Sequence, residues 1–165
     1  MAQQDVRYYL NGLLLEASKT YIKAIATDGH RLAINSLKHS QNVNPFQIII
    51  PRKAVIELLR LLDSESEEEI TLIIGTNFLR VFIKHYIFTT RLIDGRFPSY
   101  EKVIPQANDK KLMLDKDSFK QSLSRVAILA NAKSKGVCLQ LRNNLLRITS
   151  HNNEQDKAEE EIITE

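Results

Sequence analysis

Residues 48–63, IIIPRKAVIELLRLLD, decide the fold, because they join a β-prone run to an amphipathic helix at a single proline. The isoleucines at 48–50 are β-branched and favour a strand, whereas Pro51 suits the first turn of a helix. Lys53 and Arg60 line up along one side of the predicted helix. A second side is apolar and consists of Val55, Leu58, Leu59 and Leu62. The stretch therefore predicts a strand followed by a helix with a cationic face and an apolar face.

Outward from this stretch, the order of one strand, one helix and three strands occurs twice. After the helix, strands are predicted at 69–74, 77–84 and 86–93. In the last third, KLMLD at 111–115 predicts a strand that ends at Asp115, a favoured helix N-cap. The next helix has an apolar stripe of Phe119, Leu123, Val126, Ala127 and Ala130. It is followed by predicted strands at 136–142, 145–150 and about 157–164.

Two short segments indicate an internal repeat. NFLRV at 77–81 and NLLRI at 144–148 each open a strand directly after another strand. Both lie in a unit of roughly 50 residues, a length typical of internal repeats. The strands before residue 48 then belong to a third copy that begins in this sequence without its helix. Both ends of the sequence are expected to fall inside a repeat unit.

Two dipeptides in the N-terminal segment predict hairpin turns. ATDGHRLA at 26–33 contains Asp28-Gly29, a pair favoured in two-residue turns. Such a turn would place Thr27 opposite His30 on the paired strands. Asn11-Gly12, between two β-prone runs, predicts a hairpin in the same way.

Composition bounds the class of protein. The 165 residues are 43% hydrophobic and 26% charged, which is typical of a globular chain of one full domain or slightly more. The formal net charge of +3 is small, so a surface for nucleic acid would have to be local. With Cys138 as the only cysteine and no zinc-ligand spacing, neither a disulfide framework nor a metal is expected. The sequence has no signal-peptide pattern and no apolar run near the roughly 20 residues that span a bilayer, so we expect a cytoplasmic protein without membrane contact.

Three groups of charged residues have both a functional and a structural interpretation. Asp28 and His30 could serve a small hydrolase or nuclease, but neighbours across a tight turn do not normally face one substrate position. Lys53 and Arg60, with Arg52 nearby, could be a solvated helix face or contact an anionic partner. An acidic run is expected to be a hydrated loop, with metal binding as the alternative, and consists of Glu65, Glu67, Glu68 and Glu69.

Five motifs follow one another across essentially the whole sequence. They are VRYYLNG (6–12), ATDGHRLA (26–33), IIPRKAVIELLRLL (49–62), DGRFPSYEKVIP (94–105) and AILAN (127–131). In this order they resemble the bacterial DNA polymerase III sliding clamp family, the β subunit of the replicative polymerase. The resemblance implies an α+β DNA-clamp fold, with antiparallel sheets outside and helices inside. It also implies that residues 1–105 are the middle clamp domain without its first helix, and that 106–165 are the first half of the third domain.

The resemblance further implies a partial, non-catalytic processivity factor of DNA replication that needs no cofactor. In the family, two chains form a homodimeric ring around duplex DNA without sequence preference. A pocket on each chain captures linear peptide motifs of the replicative polymerase, the clamp loader and repair proteins. An alternative of the same ancestry is a degenerate remnant that cannot close a ring.

Individual positions of this sequence match the family's functional surfaces. The matches to the peptide-binding pocket are Leu10, Thr27, Gly29, His30, Arg31, Leu32, Pro98, Lys102 and Val103. The matches to the DNA-facing surface are Gln4, Arg52, Lys53 and Arg60. Ile128 and Leu129 match the ring interface, which would explain an isoleucine opposite the apolar stripe of the second helix. Lys102 stands where the family commonly has Arg, and Ser99 where it commonly has Asp, so the pocket rim is expected to differ.

Overall fold

The computed structural model describes residues 1–40, 43–62, 69–130, 136–152 and 156–164. It divides into two compact units, Met1–Val103 and Ile104–Glu165. Each unit has its own sheet or sheets, its own helix and its own hydrophobic core. Each is therefore described by itself.

The first unit opens with a four-stranded antiparallel sheet. Its strands are β1 (Gly12–Ala17), β2 (Tyr21–Thr27), β3 (Leu32–Lys38) and β4 (Phe46–Pro51), in the spatial order β3-β2-β1-β4. A short 3-10 helix, Tyr8–Asn11, leads into β1. Because β4 pairs with β1, the strand that comes directly before the first helix is an edge strand of this sheet.

Helix α1 and a second sheet complete this unit. Helix α1 (Arg52–Leu62) follows β4 directly, and then come β5 (Thr71–Ile74), β6 (Phe78–Ile83) and β7 (Tyr86–Arg91) in the order β5-β6-β7. A 3-10 turn at Tyr100–Val103 ends the unit. The strand–helix–three-strand order predicted for this part of the sequence is confirmed.

The face of α1 that is buried against the sheets differs from the predicted apolar face. Ala54 is buried among side chains of β4 and β6, and Leu58 and Leu61 pack against the same cluster. Leu59 and Leu62, predicted as core, are 63% and 42% exposed. The buried stripe follows Ala54, Leu58 and Leu61 at i, i+4 and i+7, because the small alanine lets the helix approach β4 closely.

A second core covers the opposite face of the first sheet, which we call the outer face. Leu14, Ile25, Ile49 and Tyr100 are buried there, with several half-buried neighbours. The segment at 92–103 supplies Tyr100 and returns over this face. It is held by a backbone hydrogen bond from Ile93 N to Ile49 O of 2.9 Å. The sheet is consequently buried on both faces at its centre.

The second unit has one helix and one sheet among its described residues. Helix α2 (Lys116–Ala127) is followed by β8 (Cys138–Arg142), β9 (Leu145–His151) and β10 (Lys157–Ile163), in the order β10-β9-β8. The predicted N-cap is confirmed, because Asp115 accepts a 2.8 Å hydrogen bond from Ser118 N. The core consists of Val126, Leu146, Ile148 and Ile162.

The internal repeat is confirmed at the level of side chains. NFLRV leads into β6 and NLLRI leads into β9, and both strands are the middle strand of a three-stranded sheet. Leu79 and Val81 of the first copy are buried, and so are Leu146 and Ile148 of the second. Matching positions therefore point their side chains to the core in both units.

Three local predictions are wrong. The connection between β2 and β3 has four residues, 28–31, so Thr27 pairs with Leu32 and not with His30. Asn11-Gly12 is not a hairpin turn, because Asn11 ends a 3-10 helix and its side-chain oxygen accepts a hydrogen bond from Asp5 N at 3.0 Å. KLMLD is not a strand, since it pairs with none of the described strands.

We expect Gly12→Ala to destabilise the first unit by about 1–3 kcal/mol, because overpacking a tight site forces neighbouring atoms to move. A Cβ at this position would lie 2.8 Å from the Ile50 carbonyl oxygen and 2.6 Å from Ile49 Cγ2. Urea denaturation followed by circular dichroism measures the change. Ser36→Ala, on an exposed part of β3, is the control, and equal stability of both variants would contradict this packing.

Candidate functional site

The loop between β2 and β3 is fixed by the side chains of its own residues. Asp28 Oδ1 accepts hydrogen bonds from the backbone N–H groups of His30 and Arg31, each at 3.1 Å. Its Oδ2 accepts from Arg31 Nε at 2.9 Å. Thr27 Oγ1 donates to the Arg31 carbonyl at 2.8 Å and accepts from Gly29 N at 3.1 Å. The loop therefore holds its backbone in one conformation while the His30 ring stays exposed.

These bonds decide what Asp28 can do chemically. Donation from the His30 and Arg31 N–H groups, and from the Arg31 guanidinium, lowers the pKa of Asp28 to about 2. Because this lies below the value of an unfolded aspartate, about 3.9, the contribution to stability is complete at neutral pH and is lost as the pH falls towards 2. An ionised carboxylate with both oxygens engaged is a poor general base. The geometry argues against a hydrolase or nuclease built on Asp28 and His30.

Arg7, which the sequence interpretation missed, lies against this loop. Gly29 has a φ of 87°, and a Cβ there would lie 3.1 Å from Arg7 Nη2. Asp5 holds the guanidinium in place, accepting from Arg7 Nε at 3.0 Å and from Nη2 at 2.8 Å. Hydrogen bonding to Arg7 lowers the pKa of Asp5 to about 2, so the pair stays charged in neutral solution. Gly29 is needed both for its backbone angle and for this close approach.

The outer-face core joins the loop to the segment that returns over the sheet. Leu32, half-buried at the start of β3, packs on this core together with Tyr9 and Phe97. Leu10, predicted as a pocket residue, is buried next to Tyr9 in the 3-10 helix that leads into β1. Parts of the chain that are far apart in sequence are thereby held on one face of one sheet. Tyr9 and Phe97 were not predicted as pocket residues, although VRYYLNG and DGRFPSYEKVIP contain them.

The predicted residues of the returning segment are positioned by Tyr100. This residue is buried on Leu14 and Ile25, and burial raises the pKa of its phenol. Pro98, Lys102 and Val103 flank it and are exposed. The structure thus presents them to solvent beside an anchored aromatic ring, as a recognition surface would require.

A cavity of about 420 Å³ lies under the same segment. Its apolar part includes Leu14, Ile49, Ile93 and Phe97, and Asp94 and Arg96 are among its polar lining. It does not include Leu32 or His30, so it is separate from the loop surface. No pattern in the sequence indicated it, because it depends on the path of the chain between β7 and Tyr100.

The predicted DNA-facing residues of α1 lie near both of its ends, with Arg60 in the last turn. Arg52 and Lys53 lie in its first turn, which contains no acidic residue. With its amide oriented to face the guanidinium, Gln3 accepts from Arg52 Nη2 at 2.6 Å. Gln4, the next residue in the chain, is exposed. Arg60 is exposed and pairs with Glu57 at 3.4 Å. Cations at a helix N-terminus interact unfavourably with the helix dipole. Arg52 and Lys53 are therefore better suited to binding an anion than to stabilising the helix.

The remaining predicted positions are at the end of α2. Ile128 is the C-cap residue and is 79% exposed, whereas Leu129 is half-buried. Glu65, Glu67 and Glu68 of the acidic run lie outside the described residues, and Glu69 is exposed. Within the described ranges, no cluster of His, Cys, Asp and Glu could hold a metal ion. No helix in these ranges is long and apolar enough to cross a membrane.

Comparison with known proteins gives consistent matches. The family model for the central domain of the DNA polymerase III beta subunit matches residues 1–99, and the model for its C-terminal domain matches 101–165. The beta sliding clamp of Proteus mirabilis is 49% identical over 160 residues, covering 97% of this chain and 44% of the relative. That of Escherichia coli strain K12 is 47% identical over 160 residues, covering 97% of this chain and 43% of the relative.

A solved structure confirms the fold class. It is a DnaN sliding clamp (DNA polymerase III subunit beta) from Pseudomonas aeruginosa bound to griselimycin, with a TM-score of 0.92 and 46% identity over 100% of this chain and 45% of that chain. The chain spans less than half the length of the relatives it matches. Because two consecutive domain models of one protein account for nearly all of its residues, the chain belongs to the family of bacterial DNA polymerase III β subunits, the β sliding clamps.

Proposed function

We propose that this chain acts as part of a DNA sliding clamp, a non-enzymatic processivity factor that tethers replication and repair proteins to duplex DNA in the bacterial cytoplasm. The observation that carries the proposal is the consecutive match of the central and C-terminal domain models. Residues 1–105 would be most of the middle domain without its first helix, and 106–165 the first half of the third domain. The compact units divide at a similar place, between Val103 and Ile104.

The outer face of the first sheet would bind linear peptide motifs of the polymerase, the clamp loader and repair proteins. Its apolar part would be Leu10, which is buried in the 3-10 helix before β1, and Leu32, which packs on the outer-face core. Val103, in the 3-10 turn that begins at Tyr100, would continue it. The rim would consist of Thr27, Gly29, His30, Arg31, Pro98 and Lys102. A rigid loop over an apolar floor suits such a peptide, because little ordering is needed when it binds.

The surface around α1 would contact the DNA backbone. Arg52 and Lys53 add side-chain charge to the positive end of the helix dipole, and Arg60 extends the cationic side by two turns. Gln4 would lie at the edge of this surface. Contacts of this kind read no sequence and weaken steeply with salt, as a sliding protein requires.

Ile128 and Leu129 would belong to an interface between chains of a ring. An isoleucine that is 79% exposed at a helix end has no packing role within its own unit. A partner surface that covers it would remove apolar area from water, which is the main contribution to stable protein interfaces. The homodimeric ring of the family is the assembly in which we place this contact.

The pocket assignment is tested with a fluorescein-labelled, Gln/Leu-rich peptide from the clamp-binding segment of a polymerase. We expect a Kd on the order of 10 µM and a loss of binding of at least about tenfold in Leu32→Asp, since an unpaired carboxylate would enter an apolar wall. Fluorescence polarisation measures the Kd. His30→Ala, at an exposed position, should weaken binding without affecting the fold.

Leu37→Asp is the matched control, because Leu37 lies on the same strand and is exposed. It should bind the peptide like the unmodified chain. Unchanged affinity in both Leu32→Asp and His30→Ala, with intact circular dichroism, would show that the peptide does not bind at this loop.

The DNA assignment is tested by neutralising the cationic side of α1. In Lys53→Gln/Arg60→Gln, we expect weaker binding to duplex DNA of any sequence and a slope of log K against log salt that is smaller by about 2. A filter-binding series between about 50 and 200 mM salt measures both quantities.

Lys110→Gln/Lys111→Gln removes the same charge from exposed positions of the second unit and serves as the control. If the control lowers the affinity and the slope as much as the α1 variant, bulk charge rather than this helix binds the DNA. Strong preference for one DNA sequence would contradict the proposal as well.

A further inference from the structure

The sheet β5-β6-β7 has an exposed face that the proposed function does not use. Leu79, Val81 and Ile83 point to α1, so the alternate residues of β6 point away from it. Strand register places the neighbours of these residues on the same side. We call this surface the arginine face and define it by Ile73, Phe78, Arg80, Phe82, Ile87 and Arg91.

Arg80 is held in a fixed orientation at the centre of this face. Its Nε donates to Thr89 Oγ1 at 3.1 Å, and its Cζ lies 5.9 Å from the centroid of the Phe78 ring. The ring itself packs against Gly75, where a Cβ would clash with Phe78 Cε1. A guanidinium carries five N–H donors, and Thr89 uses one of them. The other donors are presented to solvent on a group that is already ordered.

Arg91 provides a second cation beside the first. It pairs with Phe78 across the strands, so it is the diagonal neighbour of Arg80 on the same face. Diagonal neighbours have Cα atoms about 7–8 Å apart, within reach of long side chains. Within the described ranges, no residue forms an ion pair or hydrogen bond with the Arg91 guanidinium. The two cations can therefore contact neighbouring acidic groups.

The residues around Arg80 and Arg91 indicate which kind of partner could bind. None of the strand residues that point to this face is acidic, and Glu69 precedes β5 at the end of the sheet remote from Arg91. Ile73 and Ile87 on the same face are 46% and 66% exposed. Aliphatic side chains gain nothing from phosphate groups. Of the two aromatic rings on the face, Phe78 is covered by Arg80 and Phe82 is half-buried. The combination of two arginines and exposed aliphatics suits acidic side chains that alternate with apolar ones better than it suits a nucleic acid.

We propose that the arginine face binds an extended peptide segment of a partner protein in which acidic residues lie next to aliphatic ones. The acidic side chains pair with Arg80 and Arg91, and the aliphatic ones cover Ile73 and Ile87. The face shares no residue with the proposed pocket around Leu32. It provides a second attachment point for a partner and stands independently of the pocket assignment.

The probe is a fluorescein-labelled peptide of alternating Glu and Leu, and its binding to the full chain is measured by fluorescence anisotropy. We expect weak binding that Arg80→Gln/Arg91→Gln lowers by about 2- to 30-fold, the range for losing two exposed ion pairs. Raising the salt concentration should have a similar effect. A peptide with Lys in place of Glu should not bind.

Two controls separate this site from other causes. Lys53→Gln/Arg60→Gln removes the same charge from α1 and should leave the affinity for the Glu/Leu peptide unchanged. Leu32→Asp should also leave it unchanged, which distinguishes this face from the proposed pocket. Thr89→Ala, which keeps both charges but frees Arg80, should weaken binding less than the double variant.

Two results would overturn the proposal. One is an equal loss of peptide affinity in the α1 variant, which would assign binding to net charge. The other is a short single-stranded DNA that binds more tightly than the peptide and loses its affinity in Arg80→Gln/Arg91→Gln. That outcome would make the face a nucleic-acid surface.

Discussion

The first unit depends on the burial of one strand, β4, on both of its faces. Ile48 and Ile50 enter the core beneath α1, while Ile49 between them enters the core of the outer face. Full burial of an isoleucine contributes about 1.5–3 kcal/mol, so three consecutive ones fix the strand in register. Since α1 begins directly after β4, the strand also determines where the helix lies. A continuous apolar run here is a requirement of the architecture, because each side chain has a core to fill.

The candidate peptide site is a consequence of the same strand. The Ile49 carbonyl accepts the hydrogen bond from Ile93 that turns the chain back over the sheet. From that point, Phe97 and Tyr100 are drawn onto the outer-face core. Leu32, which directly follows the loop after β2, packs on this core. The polar groups of the loop form hydrogen bonds with one another. The predicted recognition residues can therefore be exposed at no cost to the fold, since buried neighbours hold the backbone that carries them.

The sequence predicted the strands and helices, which depend on the periodicity of apolar residues. It did not predict features that depend on tertiary contacts. The likeness of NFLRV and NLLRI was sufficient to identify two equivalent strands, and the structure buries matching positions in both because the core imposes the same period. The loop after Thr27 was assigned two residues because Asp-Gly favours that turn. The Asp28 carboxylate can instead accept two backbone N–H groups and so close a four-residue loop. Arg7 was missed because its role arises from contact with Gly29, to which no local pattern points.

The cations of the first unit differ in whether an acidic partner neutralises them. The net charge of +3 for the whole chain does not show this difference. Arg7 and Arg31 are tied to Asp5 and Asp28, whose carboxylates stay ionised at neutral pH, so the rim of the loop is locally balanced. Lys53 has no such partner among the described residues, and Arg80 is oriented by a hydroxyl and a ring, neither of which neutralises it. An approaching anion is therefore attracted to the helix and to the arginine face more than to the loop. The loop is left to discriminate by shape and apolar contact, which is the kind of selection that the proposed peptide pocket would require.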